Sequence, residues 1–419
     1  MNQTLPLPKH VDVAIIGGGI TGIATAYHLS AQGASVAVFE KGTLACEQSS
    51  RNWGWVRTLL RDVVEVPLAV RAGTLWRDLQ SKIDVGFRAS GILYLAKSRQ
   101  DMHAYSQWLA RAGLTDARML DADAARAMLP LTSVDWEGAL YSPSDGVAEP
   151  GIATRAIAEL ARRKGCCIHE HCAVRGLQSS GSRVTGVWTE HGPVQAGAVL
   201  LAGGAWSRLF SGNLGIELPQ LKVRASVLRA TAPSTPMDVT VNGKDFTCRR
   251  EADGNYVVSQ FNASYADIVP DSLRLLRHYL PSWLGNNGLV KLRFGHEFFR
   301  ALRVPRRFDT QAVTPFEQQR MLNPSPAPAT ASALTKLQHA FPAFRDSRIL
   351  DMWSGYIDVM PDALPVMDHV DACPGLYIAT GFSGHGFGIG PAVGEAMAQL
   401  IDQRMPSVDL GPFSLSRFS

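Results

Sequence analysis

The chain opens with two apolar runs on either side of a stretch with helical spacing. Residues 11–16 are mostly apolar and lead into three successive glycines, residues 20–31 repeat apolar side chains with a helical period, and residues 35–39 are mostly apolar again. A short apolar run that ends in glycines is typical of a buried parallel strand that enters a tight turn. The pattern therefore predicts a strand, a helix and a second strand.

The rest of the chain predicts further helices and strands in alternating groups. Helical spacing recurs at residues 67–79, 100–112, 122–129, 152–164, 272–279, 334–341 and 392–401. Strand-like runs recur at residues 91–96, 174–177, 198–202, 223–228, 256–259 and 376–379. Two of these strands end in glycines again, at Gly203-Gly204 and in residues 381–390. Glycines at such ends let the backbone approach a bound molecule closely.

The first glycine turn has the spacing of a dinucleotide site. Gly17, Gly19 and Gly22 fit G-x-G-x-x-G, in which the first glycine permits the turn, the second admits a pyrophosphate and the third lets the helix pack on the strand. Glu40 ends the second strand, where an acidic side chain accepts hydrogen bonds from ribose hydroxyls. A plain glycine-rich turn, with Glu40 as a solvated strand end, is the alternative.

Composition narrows the class of protein. A chain of 419 residues is long enough for two or three domains. The formal net charge of +4 is spread along the sequence and predicts no nucleic-acid partner. Six cysteines without regular spacing predict neither a disulfide framework nor a metal site. Because no signal peptide and no apolar run long enough to span a bilayer is apparent, we expect a cytoplasmic protein.

Several motifs in order resemble the D-amino acid oxidase superfamily of flavoproteins, and within it the sarcosine and glycine oxidase branch. They are IIGGGITGIATAYHLSAQG with Glu40, the SSRN segment, SDGVAEPG, LLAGGAW, MPDALPV and ATGFSGHGFGIGPAVG. The resemblance implies an α/β protein with a Rossmann-like FAD-binding domain of the glutathione reductase type, interleaved with an antiparallel-sheet substrate domain. We assign residues 1–85, 142–220 and 349–419 to the FAD domain, and residues 86–141 and 221–348 to the substrate domain.

The motifs and the resemblance together predict the residues that contact FAD. The expected contacts are Gly17, Gly19, Ile20, Thr21, Gly22, Glu40, Lys41, Ser49, Ser50, Arg51, Asn52, Val174, Gly203, Gly204, Trp206, Gly384, His385, Gly386, Phe387 and Gly388.

Two departures from the family pattern matter. Gly355 occupies the position of the cysteine that attaches flavin in some members, so we expect noncovalent FAD. Gly388 occupies the position of the lysine that holds the carboxylate in sarcosine oxidases.

The resemblance implies an enzyme that oxidises an amine or amino acid. Hydride from the carbon next to nitrogen passes to the flavin, the imine is hydrolysed, and oxygen or a quinone-like or dye-like carrier takes the electrons. Candidate catalytic residues are Arg51 for a carboxylate, Asp358 for an ammonium group, Tyr356 beside it, and His385 as a base. Each has a plainer alternative as a surface, loop or structural residue. An aromatic-type flavin monooxygenase and a noncatalytic flavin-binding protein are the alternative functions.

Overall fold

The structure is a computed structural model that describes residues 6–260, 264–285 and 290–418. Its strands form two large sheets and a two-stranded ribbon, Trp55–Val56 with Gly146–Val147. Helices pack on both large sheets, and the second sheet is largely antiparallel. The α/β class predicted from the sequence is therefore confirmed.

The first sheet has a parallel centre made by the apolar runs. Its strands, in spatial order, are Val366–His369, Leu376–Thr380, Gly192–Leu201, His10–Ile16, Val36–Phe39 and Cys167–His169, and Val174–Ser180 and Arg183–Thr189 extend it beside Gly192–Leu201. Pairing from Leu376–Thr380 to Cys167–His169 is parallel throughout. The carboxyl ends of these strands therefore meet at one edge, where parallel sheets bind their ligands.

Two helices cross on one face of this sheet at very close range. A Cβ added to Gly394 would lie 2.5 Å from Ala24, and one added to Gly390 would lie 2.5 Å from Ile20. These glycines, four residues apart, form a flat strip on the helix Gly386–Ile401 that the helix Ile20–Ala31 contacts directly. The packing fixes both helix N-termini at the carboxyl edge of the sheet.

The second sheet gathers strands from distant parts of the chain. Its strands, in spatial order, are Val290–Arg293, Ser264–Asp267, Leu221–Ala230, Tyr256–Ser259, Thr247–Arg250, Thr240–Asn242, Ile92–Ala96, Gly138–Ser142 and Arg118–Asp121. A tenth strand, Ile349–Val359, pairs antiparallel with Leu221–Ala230 along almost its whole length. The predicted boundary at residue 349 assigns that strand to the FAD domain, but its hydrogen bonds belong to the second sheet.

The helices vary in length from one turn to more than four. The α-helices are Ile20–Ala31, Gln48–Arg51, Val66–Lys82, Arg99–Ala112, Ala122–Ala127, Pro150–Arg163, Ser207–Asn213, Pro270–Arg274, Leu276–Leu284, His296–Leu302, Pro315–Gln318, Ser332–Ala340 and Gly386–Ile401. Short 3-10 turns cover Val63–Glu65, Gly204–Trp206, Pro328–Ala331, Pro342–Phe344, Gly411–Phe413 and Leu415–Phe418. None of the described helices combines the length and the apolar composition that crossing a bilayer requires.

Candidate active site

A cavity opens at the carboxyl edge of the first sheet, with about 1050 Å³ of free space that includes solvent at its open mouth. Thirteen of the predicted FAD contacts line it, namely Gly17, Gly19, Ile20, Thr21, Glu40, Lys41, Ser49, Val174, Gly203, Gly204, Trp206, Gly386 and Phe387. The other seven, Gly22, Ser50, Arg51, Asn52, Gly384, His385 and Gly388, are not among its lining residues.

The three motif glycines have different surroundings. Gly17 has φ +112°, and a Cβ there would lie 2.4 Å from the carbonyl oxygen of Ala202. A Cβ on Gly22 would lie 2.2 Å from the carbonyl oxygen of Gly17. Gly19 lines the cavity, and its added Cβ would meet only Ser49 Oγ, at 3.2 Å. The first and third glycines therefore serve packing, whereas the second keeps the cavity open beside the backbone.

Glu40 and Ser49 hold the glycine turn in place. The Glu40 carboxylate accepts hydrogen bonds from the backbone N–H of Gly18 at 2.8 Å and of Gly42 at 2.7 Å. Burial raises the pKa of Glu40 above its ordinary value. Ser49 Oγ accepts from the N–H of Ile20 at 2.9 Å, although the helix Ile20–Ala31 has no capping side chain of its own. The N–H groups of the first turn have no partner within the helix, and Thr21 of that turn lines the cavity, as an anion site requires.

Another part of the cavity wall comes from residues of the glycine loop, 380–390, and from Asp358. The helix Gly386–Ile401 also begins without a side-chain cap, and Gly386 and Phe387 line the cavity. Asp358 is 1% exposed, and burial raises its pKa to about 6. Its Oδ2 accepts from the N–H of Gly381 at 2.8 Å, but Oδ1 has no hydrogen-bond partner among the described residues.

These features fit the FAD that the sequence predicts. An elongated dinucleotide needs an open backbone turn at its pyrophosphate and donors at a helix N-terminus, and residues 17–22 provide both. The second uncapped N-terminus, at Gly386, provides positive potential for electron-rich atoms of the ring system. The unpaired Oδ1 of Asp358 is a buried acceptor at the cavity wall that a hydroxyl of the cofactor would satisfy.

A buried charged group that the sequence reasoning missed lies beside the glycine loop. Glu65 is fully buried and accepts from His385 Nδ1 at 3.1 Å, and its Oε2 lies 3.6 Å from Arg61 Nη1. Burial and the neighbouring charge of Arg57 lower the pKa of Arg61 to about 10. Burial opposes ionisation of Glu65, yet His385 and Arg61 hold the pKa of its carboxyl below the ordinary value. Burial also lowers the pKa of His385.

Arg61 fills the space next to Gly388. A Cβ on Gly388 would lie 2.6 Å from the carbonyl oxygen of Trp55 and 3.3 Å from Arg61 Nη2. A side chain at this position would therefore meet the Trp55 carbonyl first and the Arg61 guanidinium next. The sequence held a signal for this group, since Glu65 is an acidic residue inside the apolar run VVEVPLAV, and such residues are usually paired when buried.

The remaining predicted catalytic and FAD residues have structural partners. Arg51 Nη1 donates to the carbonyl oxygens of Leu322 at 2.5 Å and of Ser354 at 3.3 Å. Asn52 Nδ2 donates to two carbonyl oxygens of the preceding turn. Tyr356 packs against the apolar core of the first sheet, and burial raises its pKa. Contacts of these residues with cofactor or substrate stay predictions.

Proteins of known activity resemble the chain over nearly its whole length. It is 27% identical over 425 residues to 4-methylaminobutanoate oxidase (formaldehyde-forming) of Paenarthrobacter nicotinovorans, covering 99% of this chain but 46% of that protein. It is 27% identical over 419 residues to glycine oxidase of Geobacillus kaustophilus, covering 97% of each. The chain thus spans about half the length of the first relative and nearly all of the second.

Solved structures show the same fold. An L-amino acid deaminase from Proteus myxofaciens, in complex with anthranilate, superposes with a TM-score of 0.96 at 30% identity, covering 100% of this chain and 96% of that one. The model of the FAD dependent oxidoreductase family matches residues 12–400. That match includes both glycine turns, Glu40 and the charged group around Glu65, so the chain belongs to the FAD-dependent oxidoreductase (DAO) family.

Proposed function

We propose that this protein oxidises the amine of an amino acid and recognises the substrate carboxylate through Arg61. When bound, FAD supplies the hydride acceptor. The observation that carries the proposal is the buried charged group of Arg61, Glu65 and His385 beside the glycine loop. The three relatives support it, because each is named for a compound or class with both an amine and a carboxylate.

Arg61 has the donors that a carboxylate needs. Its side chain is 2% exposed, its Nε donates to the carbonyl oxygen of Arg57 at 2.7 Å, and its Nη1 has no hydrogen-bond partner among the described residues. A buried guanidinium N–H without an acceptor is costly. A substrate carboxylate would satisfy it with a charge-assisted hydrogen bond.

His385 is the candidate base. Because burial lowers its pKa, its imidazole is neutral near neutral pH. The ionised Glu65 accepts from Nδ1, which fixes the proton there and leaves the lone pair of Nε2 free. An amino acid reaches the site as an ammonium ion and must lose a proton before hydride can leave the adjacent carbon. Nε2 of His385 is the atom that would take that proton.

Substrate screening tests the proposal directly. Under anaerobic conditions, we expect flavin absorbance to bleach with an amino acid and not with the amine that lacks its carboxylate. Arg61→Gln should raise KM for the amino acid by at least about 100-fold, which corresponds to one lost charge-assisted contact of about 3 kcal/mol. The control Arg155→Gln, at an exposed helix position, should behave as wild type. Equal bleaching by the decarboxylated amine would refute carboxylate recognition.

We also infer that FAD is held noncovalently. Gly355 has no side chain to form the bond found in some family members, and of the described cysteines only Cys46 lines the cavity. Acid precipitation should therefore release the yellow colour into the supernatant. Colour that stays in the pellet would contradict this inference, and loss of that colour in Cys46→Ser would identify the attachment site.

A further inference from the structure

The loop that carries Arg61 has a strained backbone. Residues 57–61 form no helix or strand, and Leu60 has φ 53°, a left-handed conformation that residues other than glycine rarely adopt. Such conformations persist where the surrounding structure fixes the chain, and they are frequent near binding sites. The position of the Arg61 guanidinium therefore depends on contacts from outside the loop.

Asp145, in the motif SDGVAEPG, supplies several of these contacts. Its carboxylate accepts from the backbone N–H of Thr58 at 2.8 Å, from Thr58 Oγ1 at 2.9 Å and from the N–H of Leu59 at 3.2 Å. Asp145 is 3% exposed and is not among the residues that line the cofactor cavity. This aspartate therefore fixes the loop and is not a cofactor contact.

Two further hydrogen bonds connect this anchor to Arg61. Arg61 Nε donates to the carbonyl oxygen of Arg57 at 2.7 Å, and Trp108 Nε1 donates to the carbonyl oxygen of Arg61 at 2.7 Å. Arg57 directly precedes Thr58, the residue that Asp145 holds. A shift of Thr58 would therefore move the carbonyl group that orients the guanidinium.

Asp145 also acts on Arg61 through its charge. Burial lowers the pKa of Arg61 to about 10, the charge of Arg57 acts in the same direction, and the charges of Glu65 and Asp145 oppose the decrease. Burial raises the pKa of Asp145, although the hydrogen bonds from Thr58 oppose that increase. Because the contacts of this carboxylate with the loop all come from donors, they stabilise its ionised form. The ionised carboxylate therefore supports both the position and the charge of Arg61.

We propose that Asp145 is a positioning residue for substrate recognition, which holds the guanidinium of Arg61 where the substrate carboxylate binds. The inference rests on the proposed function, since it assigns the same role to Arg61. Loss of the Asp145 carboxylate should weaken recognition of the substrate carboxylate and leave hydride transfer largely intact.

Steady-state kinetics of Asp145→Asn tests the proposal. The variant places an amide NH2 group among the donors of Thr58 and Leu59, so the loop loses an acceptor that fixes it. With the amino acid that bleaches the flavin fastest and an artificial electron acceptor, we expect KM to rise at least about tenfold and kcat to change less than about threefold. The control Asp123→Asn, whose side chain is 96% exposed, should keep both wild-type values.

A double-mutant cycle with Arg61→Gln separates positioning from a general loss of structure. Because Asp145 acts through Arg61, Asp145→Asn should change KM by less than about twofold in the Arg61→Gln background. An equal rise of KM in both backgrounds, or a loss of kcat with unchanged KM, would overturn the proposal. An unchanged KM in Arg61→Gln alone would contradict the proposed function itself, whereas a normal KM in Asp145→Asn beside a raised KM in Arg61→Gln would contradict only the positioning role.

Thr58 offers a second, milder pair of variants. Thr58→Val removes the hydroxyl that donates to Asp145 and keeps a branched side chain of similar size, whereas Thr58→Ser keeps the hydroxyl. KM should rise about three- to tenfold in Thr58→Val and stay within about twofold of wild type in Thr58→Ser. Flavin content and thermal melting verify that the variants are folded. If Asp145→Asn does not fold, the Thr58 pair decides, and equal KM values in its two members would overturn the proposal.

Discussion

At the scale of single residues, Glu65 and His385 make the protein sensitive to acid. Burial lowers the pKa of His385 below 6.5, although Glu65 acts in the opposite direction. As the pH falls below 6.5, the unfolded chain binds a proton at this imidazole before the folded protein does. Stability therefore decreases with falling pH. Glu65 is protonated at lower pH, because its pKa in the folded protein lies below 4.5. Its contribution to the free energy of unfolding is lost as the pH falls through that folded-state pKa.

The variant His385→Asn isolates the first of these steps. We expect the difference in unfolding free energy between wild type and variant to shrink as the pH falls from about 7.5 to about 5, by up to about 1.4 kcal/mol for each unit of pKa shift. Urea unfolding followed by circular dichroism at each pH measures that difference. A difference that grows toward acid pH would mean that folding raises the pKa of His385.

At the scale of elements, the glycine loop is constrained by its neighbours and not only by its own sequence. Trp76 Nε1 donates to the carbonyl oxygen of Gly388 at 2.8 Å, which fixes the loop from the helix Val66–Lys82. Trp55 and Arg61 close the side where a Cβ on residue 388 would stand. Any side chain there would displace a backbone carbonyl or the buried guanidinium.

The variant Gly388→Ala should therefore be destabilised by about 1–3 kcal/mol, the usual cost of overpacking. Gly355→Ala is a matched control in the neighbouring strand, because its Cβ would lie 3.5 Å from the Arg51 side chain, an ordinary contact. Thermal melting and flavin content measure both variants. If Gly388→Ala melted like Gly355→Ala, the loop would have room that the structure does not show.

Periodicity predicted most elements, but not those that depend on distant contacts. Most long helices and first-sheet strands lie within a few residues of their predicted positions, because burial of one face imposes the pattern. The helix Gly386–Ile401 and the strand Gly192–Leu201 each begin six residues before the predicted start. The SSRN segment, predicted to contact the cofactor, contributes its first three residues to the short helix Gln48–Arg51. The predicted helix at residues 272–279 is instead two helices, Pro270–Arg274 and Leu276–Leu284. Neither detail follows from local apolar spacing.

The glycine turns and His385 were identified from the sequence, but the buried group that His385 forms with Arg61 and Glu65 was missed for a physical reason. Glycine turns leave a local motif in the sequence, so Gly17 to Gly22 and Glu40 were identifiable. Arg61, Glu65 and His385 come together from segments 320 residues apart, as the pairing of Glu65 with His385 shows. Such a cluster becomes visible only when the fold is known.

At the scale of the whole molecule, the joining of the two sheets brings two lysines to the same aromatic ring in the cavity wall. Lys222, on the second-sheet strand Leu221–Ala230, places its ammonium group 4.9 Å from the centre of the Trp206 ring. Lys41 lies 4.4 Å from the same ring. Both ammonium groups therefore lie over the Trp206 ring, and Thr380 Oγ1 at the start of the glycine loop donates to the nearby carbonyl oxygen of Gly204 at 3.2 Å. Arg51 is already bound to two carbonyl oxygens.

We therefore predict that the reduced enzyme reacts slowly with oxygen and prefers a dye or quinone-like acceptor. Reduction of oxygen is helped by positive charge where superoxide forms. Arg61 lies beside Gly388 of the glycine loop, and the proposed substrate carboxylate would neutralise its charge. Stopped-flow mixing of substrate-reduced enzyme with oxygenated buffer, compared with an artificial acceptor, measures the two rates. Rapid reoxidation with hydrogen peroxide formed in step with product would contradict the prediction, and its loss in Lys222→Met would identify Lys222 as the cation responsible.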